Sequence, residues 1–434
     1  MTKLRTAVLR AVLASTTTFA LSNGTVQAQT CIPVVAGDAD HDGIPDQTEQ
    51  ALLDHFRPYF KFSRDHGDNE TFRPTDVDAY LRASEIDGTG DENADVLMGN
   101  GWASSSPNAL LSLSRPDRPP LCSGSPSVAT CSADLTHNQR WVHYYINPNN
   151  DARRGVEWPV ARAARNIGLY GHVVPIRLAG PTGYDAGHVA SCADYGDRSK
   201  STYYKIEYWQ FFGYSSNNAI GDLYDHEGDW DSVQVIFQPG NVAARLPGRI
   251  IEVLFYAHGR QMAFNMTLAT GSPTSMENES IHEWRGPNYN QPVGDIHDAG
   301  FIDPARDNHV LQMYRDPDTG NYDHPVVYVE HGGHEFWPSP YWSFYGAQKH
   351  GGDDIADSYL AARPPNLGEV EHPLDETPVA PVILRFNGYW GTYSREGHGK
   401  LFPANAPPPG PTLHSEWTWP ADSSVRWLIH NPEN

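Results

Sequence analysis

Cysteine is scarce in this chain: Cys31, Cys122, Cys131 and Cys192 are the only four in 434 residues. No two of them have the spacing of a zinc knuckle, so a cysteine-held zinc is not expected to organise the fold. Positive charge is short as well, with 31 Lys and Arg against 53 Asp and Glu and a formal net charge of -22. Such a surface repels phosphate backbones, so nucleic acid is not an expected partner. Anionic membranes are poor targets too, unless a cation bridges. No apolar run approaches the roughly 20 residues of a spanning helix, so no transmembrane span is expected. The chain has no G-x-S-x-G and no phosphate-binding glycine loop, which removes sequence support for a lipase-type nucleophile elbow or a nucleotide site.

What is present begins with an export signal. Lys3, Arg5 and Arg10 precede an apolar stretch from about Ala11 to Leu21, and Val26-Gln27-Ala28 follows with small residues where a signal peptidase reads. Residues 1–28 are therefore expected to be a cleavable signal peptide and the protein to be secreted or periplasmic, starting near Gln29. Loss of three positive charges takes the formal charge from -22 to -25. An even number of cysteines in an exported chain reads as two disulfides. Three pairings are possible. The Ser/Gly/Pro-rich spacing between Cys122 and Cys131 favours a local bridge, which would leave Cys31 for Cys192.

The segment 29–60 carries the clearest motif. In D-A-D-H-D-G-I-P-D-Q-T-E, Asp38, Asp40 and Asp42 occupy positions 1, 3 and 5 of a twelve-residue loop, with Gly43 at 6, Asp46 at 9 and Glu49 at 12. This is the EF-hand spacing. Ca²⁺ takes six to eight oxygens, and the glycine allows the sharp turn that converges them. The carbonyl of Ile44 would supply the ligand at position 7. Pro45 at position 8 departs from the usual apolar residue and resembles the short calcium loops of thrombospondin type-3 and dockerin-like repeats. A helix is expected from Asp46 to Tyr59, with Leu52, Leu53 and Phe56 on its apolar face and Pro58 limiting its end.

Residues 61–434 read mostly as strands. The candidates are 141–146, 203–214, 232–238, 249–257, 325–330 and 382–386, rich in β-branched and aromatic residues and bounded by Gly, Pro, Asn and Asp. Short helices are expected at 158–166 and 353–362. Proline-rich stretches at 115–127, 363–381 and 403–411 read as surface loops. The pattern predicts a mainly β body, an antiparallel β-sandwich of jelly-roll type with long loops.

The densest chemistry lies in Asp222-Leu-Tyr-Asp-His-Glu-Gly-Asp-Trp-Asp231. Strand alternation points Asp229 and Asp231 the same way as Val233 and Val235. Two inward carboxylates are costly unless something cationic pairs them, and a second divalent cation is the economical partner. His226, just before a turn at Gly228, could add a nitrogen ligand. His334 and His258, each after a strand and beside glycine, sit where a loop could bring them to a common site. The donor set suits Mg, Ca, Mn or Zn and does not choose among them. H-x-x-H-E at 331–335 is not read as a zinc-protease motif, because Gly332-Gly333 after a strand is poor helix material.

Four segments in order resemble the Vps62 (DUF946) family. These are Arg57-Pro-Tyr-Phe-Lys-Phe with Phe72-Arg-Pro-Thr-Asp-Val, then the aromatic strand and H-E-G-D-W-D within 207–237, then His324-Pro-Val-Val-Tyr-Val-Glu-His-Gly-Gly-His334, and last Asn387-Gly-Tyr-Trp-Gly391 with Pro409-Gly410-Pro411 and Trp417. H-E-G-D-W-D is also similar to the G-H-R-H-D-W-E heptapeptide of the necrosis-inducing NPP1-like proteins, secreted β-sandwich toxins with a divalent cation in an acidic cavity. His226, Asp229 and Asp231 fall on the His, Asp and Glu of that motif, while Glu227 and Gly228 replace its Arg-His pair. The resemblance implies either a surface-acting binding or toxin-like protein whose metal presents an extracellular glycan or lipid head group, or a structural module with cation-stiffened loops. A metal-dependent hydrolase with Glu227 or His334 as acid/base stands beside these.

Overall fold

The computed structural model describes residues 36–63, 74–82, 84–87, 96–98, 145–148, 168–179, 183–186, 202–215, 226–240, 248–257, 260–266, 274–276, 280–285, 289–290, 310–330, 332–338, 355–369, 373–374, 379–386, 390–391, 410–414 and 417. The chain is mainly β. Its elements in order are α1 (Asp46–Phe56), β1 (Tyr59–Ser63), α2 (Val77–Arg82), β2 (Ser84–Asp87), β3 (Val96–Met98), β4 (Tyr145–Pro148), β5 (Leu169–Ala179) and β6 (Gly183–Ala186). Then follow β7 (Thr202–Ser215), β8 (His226–Gln238), β9 (Arg249–Ala257), β10 (Arg260–Asn265), β11 (Thr274–Met276), β12 (Ile281–Arg285) and β13 (Tyr289–Asn290). The last are β14 (Val310–Arg315), β15 (Tyr322–Val329), β16 (Phe336–Trp337), β17 (Ile355–Leu360) and α3 (Ala380–Arg385).

One seven-stranded sheet runs β11-β12-β14-β15-β1-β17 with β16 beside β15; a second runs β13-β10-β9-β8-β7-β5-β6; and β3-β2-β4 make a small third. Pairing is antiparallel except for β1, which runs parallel to β15. Both large sheets feed one apolar cluster. Phe60, Phe62, Val326 and Val327 come from the first, and Ile206, Tyr208, Val233, Val235, Val253 and Phe255 from the second. The opposite face of the second sheet carries another cluster, in which Tyr170, Trp209, Phe211 and Trp230 meet Val382 and Ile383 of α3 with Trp390 and Trp417. Strand β7 is therefore buried on both faces, which is why seven of its 14 residues are aromatic.

Several sequence expectations change here. The helix stops at Phe56, because a residue before proline is pushed to extended backbone. Arg57 has ψ 135°, and Tyr59 opens β1. In the stretch 382–386, expected as a strand, residues 382–385 are helical in α3 and Phe386 caps the helix in extended backbone. Proline in its first turn suits a helix start and cannot donate to a ladder, and burial of Val382 and Ile383 outweighs their β preference. The reverse holds at 353–362, where a helix was expected. Ile355–Leu360 instead pairs with β1, and Tyr359 stacks on Phe62 with ring centroids 5.6 Å apart. The strand expected at 232–238 starts earlier, at His226, so the supposed turn at Gly228 lies within β8. Within 363–381, expected as surface loop, Asn366 and Leu367 are buried. The segment 158–166, His258, residues 1–28 and all four cysteines lie outside the described residues.

Candidate metal centre

The acidic loop folds because its backbone turns sharply where the side chains allow it. Gly37 and Gly43 have φ of 78° and 96°, and His41 takes the same left-handed region at 66°. Asp38 Oδ2 accepts the Gly43 N–H at 3.0 Å, Asp42 Oδ1 accepts the Ile44 N–H at 2.6 Å, and Asp46 Oδ1 accepts the Ala39 N–H at 2.8 Å. Ile44 itself enters the main core. The loop runs straight into α1 through Pro45.

These bonds use one oxygen of several carboxylates and leave the others facing inward. No hydrogen-bond donor reaches Asp38 Oδ1, either oxygen of Asp40, Asp42 Oδ2 or Glu49 Oε1, and all are buried. Ligand atoms of Asp38, Asp40 and Asp42 lie within 4.8 Å of one another, and so do those of Asp40, Asp46 and Glu49. Asp40 belongs to both sets, so the two form one cluster that could hold a metal ion. Burial and mutual repulsion push Asp40 up to about 7 and Asp42 up to about 8. Glu49 goes up to about 11, with burial first and the charges of Asp42 and Asp40 next. Buried carboxylates without donors either take protons or take a cation.

The body of the protein closes over this loop. Asn366 Nδ2 donates to Glu49 Oε2 at 2.9 Å, and Gln50 Nε2 donates to the Pro364 carbonyl at 3.0 Å. Residues 365–367 are tied to β5 by Gly171 N–H to Pro365 O and Leu367 N–H to Gly171 O, both 2.8 Å. Leu53 of α1 sits against Gly171, where a Cβ would collide with it. Next to Gly171, His172 places Nδ1 3.1 Å from Glu207 Oε2 and Nε2 3.4 Å from Glu369 Oε1. Lys205 pairs with Glu207 and donates to the Trp417 carbonyl at 2.7 Å, and Trp417 lies flat on the His172 ring at 3.9 Å. Burial opposes charge on His172, but its bonds to Glu207 and Glu369 outweigh this and raise it to about 9. Sequence inspection missed Asn366, Glu369, His172, Lys205 and Glu207. The available signal was a Lys and a Glu two residues apart inside an otherwise aromatic strand.

The second set of candidates is less converged. Asp229 pairs in register with Phe212, and His334 stacks on Phe212 with centroids 4.0 Å apart and planes 2° from parallel. His334 Nδ1 lies 3.6 Å from Asp229 Oδ2. Neither ring nitrogen of His334 makes a hydrogen bond, although the residue is 1% exposed. Its backbone is in the left-handed region, at φ 64°, held by the N–H of His334 to the Glu330 carbonyl at 3.2 Å. Gln210, also buried, faces Asp231 across β7 and β8. Asp229, Asp231 and His334 nevertheless do not form a group whose ligand atoms lie within 4.8 Å of one another. His226 opens β8, and its side chain lies outside what the structure describes.

The motifs at 226–231 and 387–391 meet in space. A Cβ on Gly228, whose φ is 65°, would strike the Trp390 carbonyl, and one on Gly391 would strike the Glu227 backbone. Trp230 and Trp390 meet edge to face at 5.3 Å. No helix among the described residues is long and apolar enough to cross a membrane. No family model, curated protein or solved structure matches the chain.

Proposed function

We propose that this is an exported, calcium-loaded β-protein of Vps62 type that acts by binding a polar target, a glycan or a lipid head group, outside the cytoplasm. The observation that carries the cation part is the set of donor-free, buried carboxylate oxygens on Asp38, Asp40, Asp42 and Glu49. Ca²⁺ fits them because it is hard, takes many oxygens and tolerates irregular geometry. The main role of this ion is to fasten the loop and α1 to the body. The two large sheets then act as a sandwich, its loops tied by disulfides in the oxidising space that a signal peptide implies.

The family resemblance favours binding over hydrolysis, because it brings no established chemistry with it, and burial weighs against a reacting metal at this site. A water-activating metal needs an open coordination position beside a substrate, whereas Glu227, His334 and Glu335 are each 1% exposed. The hydrolase reading is kept alive by one observation, the two unbonded ring nitrogens of His334 beside Asp229. A second divalent cation at His226, Asp229, Asp231 and His334 would serve either reading. Asp229→Ala and His226→Ala separate them. A binder loses affinity for immobilised glycans or anionic vesicles and has no turnover to lose. A hydrolase loses turnover on ester and phosphoester substrates while keeping its melting temperature. Wild-type turnover abolished by Asp229→Ala would overturn the binding assignment.

A further inference from the structure

The EF-hand pattern gives its last ligand, the glutamate at position 12, two oxygens on the ion. Here Glu49 Oε2 also accepts from the Asn366 amide at 2.9 Å, while Oε1 faces the cluster without a hydrogen bond. Asp46, at position 9, likewise has Oδ1 engaged by the Ala39 N–H. The Asn366 bond to Glu49 places residues 366–369 beside the cluster. That side is built, not incidental. Leu367 and Pro365 are pinned to Gly171, and Asn366 Oδ1 accepts the Gly368 N–H at 3.3 Å. Gly368 turns with φ 70°, and the next residue is a carboxylate.

We propose that Glu369 completes this cation site from the body of the protein, as a positioning residue that holds the ion's water and ties it to His172. The proposal rests on the cation reading above and extends it to a second stretch of chain. Glu369 is placed for both tasks. Its Oε1 is 3.4 Å from His172 Nε2, and its side chain is 26% exposed, so the residue is in contact with both the buried histidine and solvent. Its negative charge also acts on Asp40 and Asp42, which raises both. With a cation bound, Glu369 would hold its water; on the protein side Glu369 faces His172, His172 faces Glu207, Lys205 pairs with Glu207 and Trp417 covers the His172 ring. The site is therefore shared between the N-terminal loop, the 364–369 strap and the second sheet. A dication so placed attracts one more carboxylate strongly enough to change affinity about tenfold.

The test is calorimetric Ca²⁺ titration of full-length wild type, Glu369→Gln and Asp40→Asn, with melting temperatures in chelator and in calcium. We expect wild type to bind, Asp40→Asn to lose binding, and Glu369→Gln to bind about tenfold more weakly while still melting in one cooperative transition in chelator. His172→Gln should retain most of the affinity, because Glu369 stays in reach of the ion's water. If wild type and Glu369→Gln bind equally, the role of Glu369 is overturned and the loop site stands. If wild type binds no Ca²⁺, the cation reading itself falls.

Discussion

Gly228 packs directly beneath the carbonyl of Trp390, 162 positions away, so that two sequence motifs lock together through the absence of a side chain. The same carbonyl accepts the Tyr80 hydroxyl at 2.7 Å. Any Cβ at 228 meets both the oxygen and a left-handed backbone. Gly228→Ala should therefore destabilise by about 2–4 kcal/mol, within the range of overpacking plus strained φ. Gly391→Ala, which meets the Glu227 backbone, should cost a similar amount. Denaturant unfolding of both variants checks this; a loss under about 0.5 kcal/mol at each would contradict the close approach.

Chelation should lower the melting temperature. A ligand at 100 times its Kd stabilises by about 2.7 kcal/mol, which corresponds to several degrees in a chain of this size. Asp40→Asn should abolish the response. In chelator, this variant should melt at or above wild type, because it removes a buried charge that has no donor. Differential scanning fluorimetry in EDTA and in Ca²⁺ reads both effects.

The pH response should invert between the two states. In the cation-free protein, Asp40 and Asp42 are raised to about 7 and about 8. A raised carboxyl contributes stability that is fully present below its unfolded value, near 4, and is lost as pH rises through its folded value. Melting temperature in chelator should therefore rise on acidification from pH 8 to 5. The increment conferred by Ca²⁺ should shrink over the same window, as protons compete for the same oxygens. A calcium increment that is constant with pH would contradict proton–cation competition.

Glu207 is fully buried and is pulled below its ordinary value: burial raises it, but Lys205 and His172 outweigh that. Removing its charge leaves Lys205 and His172 without their buried counterion. Glu207→Gln should cost about 3–5 kcal/mol, the usual consequence of breaking a buried pair from one side. His172 should remain protonated at pH 7.5 in the wild type and lose its proton at lower pH in the variant, where only Glu369 still pairs with it; its ring carbon chemical shifts report this.

What the sequence made legible is what is local. The loop 38–49 is a spacing pattern, and the aromatic strand at 203–214 is a composition pattern; both survive folding nearly unchanged. Segments of ambiguous pattern were decided by partners instead. Ile355–Leu360 became a strand because β1 offered an edge, and Ala380–Arg385 became a helix because a proline opens it and Trp390 waits beside it. The body half of the cation site was not legible, since Asn366 reaches Glu49 across 317 positions from a stretch that reads as proline-rich loop. For the same reason the four residues grouped by motif, His226, Asp229, Asp231 and His334, were easier to list than to bring together. Asp229 and His334 meet over Phe212, but Asp231 does not join them within ligand distance.

Metal analysis after equilibrium dialysis against Ca²⁺ tests the central claim most directly, comparing wild type with Asp38→Asn/Asp40→Asn and with Asp229→Ala. The account predicts one calcium in wild type that is absent from the loop double variant and retained in Asp229→Ala, with any further divalent metal lost from Asp229→Ala alone. Equal calcium in wild type and the loop double variant would contradict it.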